Sequence, residues 1–412
     1  MTQTPYSLRL QIGIFGRTNS GKSSLLNALA NQNFSIVSDE AGTTADPVNK
    51  AMEIKGIGPV LFTDTAGFED KTSLSEKRLE KTLDVLNRID IALLVFSADE
   101  IDERKNECRD IEDERPWWVS KIVETKKEYI PVITKVDAIS KEKLLALKTR
   151  VDFLVKKPSI CVSSLKKEGI EELIEEVRKI ADAAPSVSLT ENLCKAGDCV
   201  LLVMPQDLQA PKGRLILPQV QVMRELLDKK CMVVSCTADM MQGTLRSLKD
   251  APSLIIIDSQ IFEMAYSLKP KESLLTSFSV LMGASKGDIH LFKKGAFAIS
   301  KLNSSSRVLI AEACAHVPQK EDIGRVQIPR MLRYIAPNMK IDFVRGADFP
   351  ENLVNAKGRP LYDLIIHCGG CMFNRSYVLH RQEIAKKAHI PMTNYGLAIA
   401  AFKGILDKVA LP

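Results

Sequence analysis

The chain reads Gly16-Arg17-Thr18-Asn19-Ser20-Gly21-Lys22-Ser23, directly after an apolar segment, Leu8 to Phe15, and directly before a helix-like one, Ser24 to Ala30. This is the pattern G-x-x-x-x-G-K-S in the strand–loop–helix context that makes it a phosphate-binding loop. Its glycines let backbone N–H groups surround the phosphates, Lys22 neutralises the β and γ oxygens, and the Ser23 hydroxyl ligates Mg2+. The stretch predicts a nucleotide-binding α/β domain.

Further motifs follow in the order that a GTPase requires. The polar loop Gly42-Thr43-Thr44 can supply a hydroxyl to Mg2+, and we favour Thr44 for the metal. A predicted strand then runs into Asp64-Thr65-Ala66-Gly67. The Asp64 carboxylate would hold Mg2+ through water, and Gly67 would follow the γ-phosphate. These two loops complete a predicted magnesium and γ-phosphate site.

A guanine-binding pocket is predicted after two short buried strands. The second strand ends in Thr134-Lys135-Val136-Asp137, where Asp137 can accept hydrogen bonds from guanine N1 and N2 and the Lys135 stem can lie along the base. Cys161-Val162-Ser163-Ser164 would close the pocket. The predicted nucleotide-binding residues are Gly16, Asn19, Ser20, Gly21, Lys22, Ser23, Ser24, Asp64, Gly67, Thr134, Lys135, Asp137, Ser163 and Ser164.

A second candidate site consists of two half-motifs that are far apart in sequence, Cys314-Ala315-His316 and His367-Cys368-Gly369-Gly370-Cys371. Each follows a predicted strand, Arg307 to Ala313 and Tyr362 to Ile366. If these strands lie parallel in one sheet, both half-motifs emerge at the same carboxyl edge, where open α/β sheets place their ligands. The sequence therefore predicts a tertiary site.

The ligand set of this second site is soft. Three thiolates and two imidazoles suit either zinc or an iron–sulfur cluster. The cysteines Cys314, Cys368 and Cys371 also fit a [4Fe-4S] cluster whose fourth iron takes a weaker or exchangeable ligand. Candidates for that ligand, or for a role in orienting a thiolate, are Glu312, His316 and His367. Ordinary buried thiols are the alternative interpretation.

Length and composition limit the class of protein. A chain of 412 residues predicts two or three domains, and 45% hydrophobic with 26% charged residues is typical of globular proteins. The absence of a signal-peptide pattern and of a long apolar run predicts a cytoplasmic protein without a membrane partner. In such a chain, nine cysteines are more often reduced thiols and metal ligands than disulfides.

Charge is distributed unevenly along the chain. From Ala265 to the end, Lys and Arg outnumber Asp and Glu by more than the +6 net charge of the whole chain. This excess is either a solvated basic face or an attraction for an anionic ligand or acidic partner. Aromatic residues make up only 6% and do not interleave with the basic ones, so no nucleic acid is expected.

Apolar runs alternate with helix-like segments between these two sites, which predicts a small parallel α/β unit. Within it, Leu215 to Met223 forms an apolar stretch that either packs in the core or contacts another subunit. We therefore predict three α/β domains: a P-loop GTPase domain over residues 1–182, a dimerisation domain over 183–264 and a cluster-binding domain over 265–412.

Residues from Leu8 to Ile180 resemble the Era/TrmE branch of GTPases, with two departures. Thr134 stands where the guanine motif usually begins with Asn, and Phe68 stands where Ras-type enzymes carry a catalytic Gln. The resemblance implies that K+, held partly by Asn19, supplies positive charge to the transition state. It also implies that an acidic residue, Asp70 or alternatively Glu69, helps to place the water. Slow, K+-stimulated hydrolysis is expected, with Lys22, Thr44 and Asp70 as its catalytic residues.

The whole chain resembles the HydF family of [FeFe]-hydrogenase maturation GTPases. The resemblance rests on the phosphate-binding loop, on Cys314-x-His316 with His367-Cys368-x-x-Cys371, and on the stretch from Leu208 to Gln219. It implies a homodimeric scaffold that binds GTP, GDP, Mg2+ and a [4Fe-4S] cluster. It also implies a di-iron precursor received from the radical-SAM maturases HydE and HydG and passed to apo-hydrogenase HydA. An RNA-associated GTPase of the Era/TrmE type with a structural zinc is the alternative.

Overall fold

A computed structural model describes residues 4–31, 35–40, 48–67, 73–99, 115–184, 187–204, 215–313 and 322–412. The chain divides into two compact units, Met1–Pro185 and Ser186–Pro412. Within the described ranges the first unit contains one sheet and the second contains two. The three predicted α/β domains are thereby confirmed as a fold class. No helix in these ranges is long and apolar enough to cross a membrane.

The sheet of the first unit has the strand order β2-β3-β4-β1-β5-β6-β7 in the described residues. Among these described strands, the pairs β2–β3 and β3–β4 are antiparallel and the other pairs are parallel. The strands are β1 (Leu10–Gly16), β2 (Ser35–Glu40), β3 (Val48–Ile54), β4 (Gly58–Asp64), β5 (Ile91–Ser97), β6 (Glu128–Thr134) and β7 (Ile160–Cys161). The described α-helices are α1 (Lys22–Ala30), α2 (Ser73–Arg88), α3 (Trp117–Glu124), α4 (Lys141–Val155) and α5 (Ile170–Ala183).

Apolar side chains cover both faces of this sheet, which is why its parallel strands are nearly continuous hydrophobic runs. Along β5, Ile91 and Leu93 enter one core cluster, whereas Ala92 and Leu94 enter the cluster on the opposite face. Helices α1 and α5 pack in the first cluster, and α2, α3 and α4 pack in the second. The carboxyl ends of β1, β4, β5 and β6 therefore lie along one edge of a rigid sheet.

The first sheet of the second unit has the order β11-β10-β8-β9, and all described neighbours are parallel, as predicted. Its strands are β8 (Cys199–Val203), β9 (Met232–Cys236), β10 (Leu254–Ile257) and β11 (Leu274–Ser277). Its helices are α6 (Leu217–Asp228), α7 (Met241–Ser247), α8 (Phe262–Leu268) and α9 (Phe278–Lys286). Strand β11 lies beyond residue 264, the predicted end of the dimerisation domain. It nevertheless belongs to this sheet, because it pairs with β10.

Helix α6 shows how the apolar stretch Leu215 to Met223 is used. Val222 and Leu226 are buried in the core beneath the sheet, whereas Val220 and Leu227 are exposed. The stretch therefore contributes to the core with one face and leaves apolar side chains at the surface with the other.

The second sheet of this unit has the order β13-β12-β14-β15, again with all described neighbours parallel. Its strands are β12 (Arg307–Glu312), β13 (Lys340–Arg345), β14 (Leu364–His367) and β15 (Met392–Asn394). Its helices are α10 (Ile289–Ala296), α11 (Ile328–Ile335), α12 (Arg375–Lys387) and α13 (Tyr395–Phe402). Strands β12 and β14 are adjacent, with Ala311 opposite His367, so the predicted parallel arrangement is confirmed.

The two sheets of the second unit share one hydrophobic core. Ile255 of β10 and Val280 of α9 belong to the same buried cluster as Ile310 of β12 and Leu397 of α13. Near the end of the chain, the Ala410 N–H donates to the carbonyl oxygen of Leu275 in β11, at 2.8 Å. The last residues are thereby attached to the first sheet of the unit.

Candidate nucleotide site and candidate cluster site

The phosphate-binding loop connects β1 to α1. Gly21 precedes the helix with φ of 87°, and Asn19 also has a positive φ of 62°. The buried Lys22 ammonium donates to the carbonyl oxygens of Gly16 at 3.2 Å and Arg17 at 2.6 Å. A Cβ at Gly16 would lie 2.5 Å from the Val95 carbonyl oxygen, so this position requires glycine. The loop thus curls around the lysine at the carboxyl edge of the sheet.

Two of the three predicted magnesium ligands are in direct contact. The Ser23 hydroxyl donates to Asp64 Oδ2 at 2.6 Å, while Asp64 Oδ1 is buried without a hydrogen-bond partner among the described residues. Burial raises the pKa of the Asp64 carboxyl, against the opposing effects of the Ser23 hydrogen bond and the Lys22 charge. A hydroxyl beside an unsatisfied carboxylate oxygen fits a hard cation. The third predicted ligand, Thr44, lies outside the described residues.

Gly67 lies against the phosphate-binding loop. A Cβ there would lie 2.4 Å from the Thr18 backbone nitrogen, so only glycine allows this approach. The positions assigned to catalysis and water placement just beyond it, Phe68, Glu69 and Asp70, are outside the described part of the chain. Ser24 is exposed on the first turn of α1.

Thr134 connects the predicted guanine motif to the phosphate-binding loop. Its side chain is only 1% exposed, and its Oγ1 lies 2.6 Å from the Ser20 carbonyl oxygen and 3.2 Å from that of Phe96. The single hydroxyl proton is donated along the shorter contact, to Ser20. The departure from Asn therefore still provides a hydrogen bond between the two motifs.

The remaining residues of the guanine motif are held in place by side-chain contacts. Asp137 Oδ1 accepts from the Ser163 hydroxyl at 2.5 Å, and this bond is the main reason why the pKa of Asp137 is lowered. The half-buried Ser164 follows Ser163. Lys135 has a left-handed backbone and forms an ion pair with Asp99 Oδ2 at 2.8 Å. We did not predict the role of Asp99, although it lies two residues beyond the carboxyl end of β5, where such residues are expected.

We expect Thr134→Val to weaken GDP binding about 5- to 150-fold. Valine keeps the shape but leaves the Ser20 carbonyl without its buried donor, which costs roughly 1–3 kcal/mol. Titration with a fluorescent GDP analogue measures the effect. Thr149→Val is the control, because the Thr149 hydroxyl bonds the Leu145 carbonyl on an exposed face of α4. Equal affinities for Thr134→Val and wild type would refute the connection.

Cys368 lies at the junction of the two strands that precede the half-motifs. Its N–H donates to the Ala311 carbonyl at 2.9 Å, and its Sγ accepts from the Ala313 N–H at 3.0 Å. Gly370 reverses the chain with φ of 68° before Cys371. Burial and the neighbouring Cys371 raise the pKa of Cys368 to about 11, and burial also raises the pKa of Cys371.

Cys314 and His316 lie outside the described residues, although Cys314 follows Ala313 directly in the chain. The pairing of the two strands thus brings Ala313, the residue before the first half-motif, into contact with Cys368 of the second half-motif. In the described part of the chain, no group of three or more His, Cys, Asp or Glu side chains is arranged to hold a metal ion.

His367 is completely buried, and both of its ring nitrogens are engaged. Nε2 lies 3.0 Å from Arg381 Nη1, and Nδ1 lies 2.7 Å from the Cys368 carbonyl oxygen. Because a guanidinium only donates, Nε2 accepts and the proton is assigned to Nδ1, which donates to the carbonyl. Burial and the Arg381 charge lower the pKa of His367 to about 3. As a fourth iron ligand, His367 would have to give up one of these bonds.

Glu312 is similarly engaged. Its Oε2 accepts from Arg325 Nη2 at 2.6 Å and Nε at 2.9 Å, and from Arg345 Nε at 3.3 Å. An iron bound by this oxygen would compete with two guanidinium groups. Two other histidines of this region lie outside both half-motifs. His380 contacts Glu351 on the surface, and His389 lies in a turn with φ of 55°.

Family models match most of the chain. Residues 290–412 match the Hydrogen maturase F tetramerization domain, and residues 189–287 match the Hydrogen maturase F dimerization domain. The chain belongs to the HydF family. Residues 11–135 match the 50S ribosome-binding GTPase model, so this HydF chain contains a GTPase domain. The HydF assignment also identifies the second unit as a pair of oligomerisation domains, and the thiols lie in the one named for tetramerization.

Two curated relatives each match part of the chain. The chain is 48% identical over 92 residues to GTPase Der of Wolinella succinogenes, covering 22% of this chain and 19% of that protein. It is 36% identical over 171 residues to the tRNA modification GTPase MnmE of Aquifex aeolicus, covering 41% and 34%. The HydF chain thus spans well under half the length of the curated relatives it matches. The G domain of the T. maritima FeoB iron transporter aligns with a TM-score of 0.30 and 21% identity, covering 42% of this chain and 99% of that one.

Proposed function

We propose that this chain is a GTP-hydrolysing scaffold of [FeFe]-hydrogenase maturation, which binds a [4Fe-4S] cluster and passes a di-iron precursor to apo-hydrogenase. One observation carries the proposal. A GTPase domain is joined to HydF oligomerisation domains in which the half-buried Cys368 and Cys371 follow one strand, beside the strand that leads to Cys314. Domain boundaries near residues 182 and 264 are part of the same proposal.

The GTPase residues suit phosphate and metal binding. Lys22 would transfer its hydrogen bonds from the Gly16 and Arg17 carbonyls to the β and γ oxygens of GTP. Ser23, Asp64 and Thr44 would hold Mg2+, which neutralises charge that develops on these oxygens. Asn19 would hold K+, and Asp70 would place the attacking water. Hydrolysis would then release the loops at Gly42 and Gly67, so that GTP turnover acts as a switch.

The cluster residues suit a bound iron–sulfur centre. Cys314, Cys368 and Cys371 would hold three irons, and the hydrogen bond from Ala313 to Cys368 Sγ would stabilise the thiolate. Because burial raises the pKa of both described thiols, cluster binding must displace their protons. Glu312, His316 and His367 remain the candidates for the fourth iron. Glu312 would first have to release its arginine contacts, and His367 would have to give up one of its two hydrogen bonds.

The partners follow from the same proposal. HydE and HydG would supply the precursor, and HydA would receive it. A precursor that bears cyanide ligands is anionic, which suits the basic excess of the C-terminal region. The dimerization and tetramerization domains support a homodimer or a larger assembly of this chain.

The experiment is anaerobic reconstitution of the full chain with iron and sulfide, followed by absorption and EPR spectroscopy. We expect a brown protein that, after reduction with dithionite, gives the signal of a [4Fe-4S] cluster. A colourless protein that binds only zinc would contradict the scaffold function. RNA binding with steep salt dependence would then support the RNA-associated GTPase.

A further inference from the structure

Arg381, on α12, is the largest of the fully buried side chains in the described residues, at 1% exposure. Its guanidinium lies over the rings of Phe349 at 4.8 Å, Phe373 at 4.4 Å and Tyr377 at 4.6 Å. Arginine remains charged in proteins, and aromatic faces offset part of the cost of removing that charge from water. The chain therefore fixes a permanent positive charge in its interior.

This charge is connected by hydrogen bonds to the backbone of Cys368, the first cysteine of the C-x-x-C motif. Arg381 donates to His367 Nε2, and His367 Nδ1 donates to the carbonyl of Cys368. Phe373, which covers the guanidinium, follows Cys371 by two residues. The Arg381 charge also lowers the pKa of Cys368, opposing the larger effect of burial.

A second buried cation lies beside the other thiol. Lys286 ends α9 and is 7% exposed. A Cβ at Gly370 would lie 3.9 Å from the Lys286 Cβ, so the lysine stem borders the loop between the two cysteines. Its charge lowers the pKa of Cys371, again opposing the larger effect of burial.

The buried carboxylate of Glu312 is engaged by other cations. Glu312 is shared between Arg325 and Arg345, two guanidinium groups for one carboxylate. Arg381 and Lys286 thus place fixed positive charge beside Cys368 and Cys371 at the carboxyl edge of β12 and β14. Fixed positive charge of this kind is suited to an anionic group bound among the thiols.

We propose that Arg381 and Lys286 are positioning residues which together set the electrostatic potential of the cluster site and hence the reduction potential of the cluster. This inference rests on the proposed cluster function. A reduced [4Fe-4S] cluster carries one more negative charge than its oxidised form, so nearby fixed cations stabilise the reduced form more strongly. Removing either cation shifts the midpoint potential to more negative values.

The test uses the anaerobically reconstituted full chain. The neutral variants are Arg381→Gln and Lys286→Gln, and the charge-retaining variants are Arg381→Lys and Lys286→Arg. Iron per chain is measured chemically, and the midpoint potential by redox titration followed by EPR. We expect a negative shift in each neutral variant, a larger one in the double variant, and potentials near that of wild type in the charge-retaining variants.

A surface cation provides the matched control. Lys403 forms an exposed ion pair with Glu263, so Lys403→Gln removes one positive charge from the same unit without changing the site. Neutral variants with full iron content and the wild-type potential would overturn the inference while leaving the scaffold function intact. A wild-type chain that takes up no iron would overturn both. If thermal unfolding shows that Arg381→Gln does not fold, the comparison of Lys286→Gln with Lys286→Arg tests the inference.

Discussion

Lys22→Ala is expected to reduce the turnover of GTP by about 100-fold or more, because it removes a preorganised cation from the phosphates in the transition state. In the structure this ammonium is buried and already held at the phosphate-binding loop by the Gly16 and Arg17 carbonyls. Little reorganisation is therefore needed before it acts. Phosphate release is measured with the purified chain in KCl and Mg2+.

The control for this experiment is Lys121→Ala. Lys121 is an exposed lysine on α3 that pairs with Glu124. We expect its turnover to equal that of wild type. The same assay with NaCl in place of KCl examines the proposed K+ stimulation. Wild-type turnover in Lys22→Ala would remove this lysine from the mechanism, whereas loss of turnover in both variants would indicate a general effect on folding.

Cys368→Ala is expected to abolish the [4Fe-4S] signal after reconstitution, and Cys371→Ala should do the same. Three thiolates are the minimum set proposed for this cluster, and Cys368 also receives the N–H of Ala313 at the strand junction. Absorption, reduced-state EPR and iron per chain report the loss. GTP turnover is measured in parallel, and we expect it to persist, because Cys368 lies in a separate compact unit.

Cys199→Ala is the matched control for the cysteine variants. Cys199 is a half-buried thiol in β8 of the same unit, outside both half-motifs. This variant should bind as much iron as wild type. Full iron content and an unchanged EPR signal in Cys368→Ala would show that the cluster, if present, is held elsewhere.

The sequence predicts where strands, loops and helices lie along the chain. The first of the two short buried strands predicted before the guanine motif is β5, Ile91–Ser97, and the pattern around Lys22 forms a strand, a loop and a helix. Local periodicity and glycine placement determine such elements. The parallel pairing of β12 and β14 was also predictable, because each strand leads into a half-motif of one presumed site.

Side-chain partners across long sequence separations were not predictable. No local pattern indicates that Glu312 is shared by Arg325 and Arg345, or that Arg381 bonds His367. Such pairs depend on how helices pack on a sheet. The side-chain chemistry of Glu312 and His367 made both candidates for iron ligands. In the structure, both side chains accept hydrogen bonds from guanidinium groups.

The shared core of the second unit makes the stability of its two regions interdependent. Ile255 and Ile310, from different sheets, belong to one buried cluster, and Ala410 is hydrogen-bonded to β11. Cutting the chain near residue 288 would expose apolar surface on both fragments and remove the C-terminal residues from the first sheet. The dimerization and tetramerization regions should therefore melt in a single cooperative transition, and a subunit contact formed by one region stabilises the other.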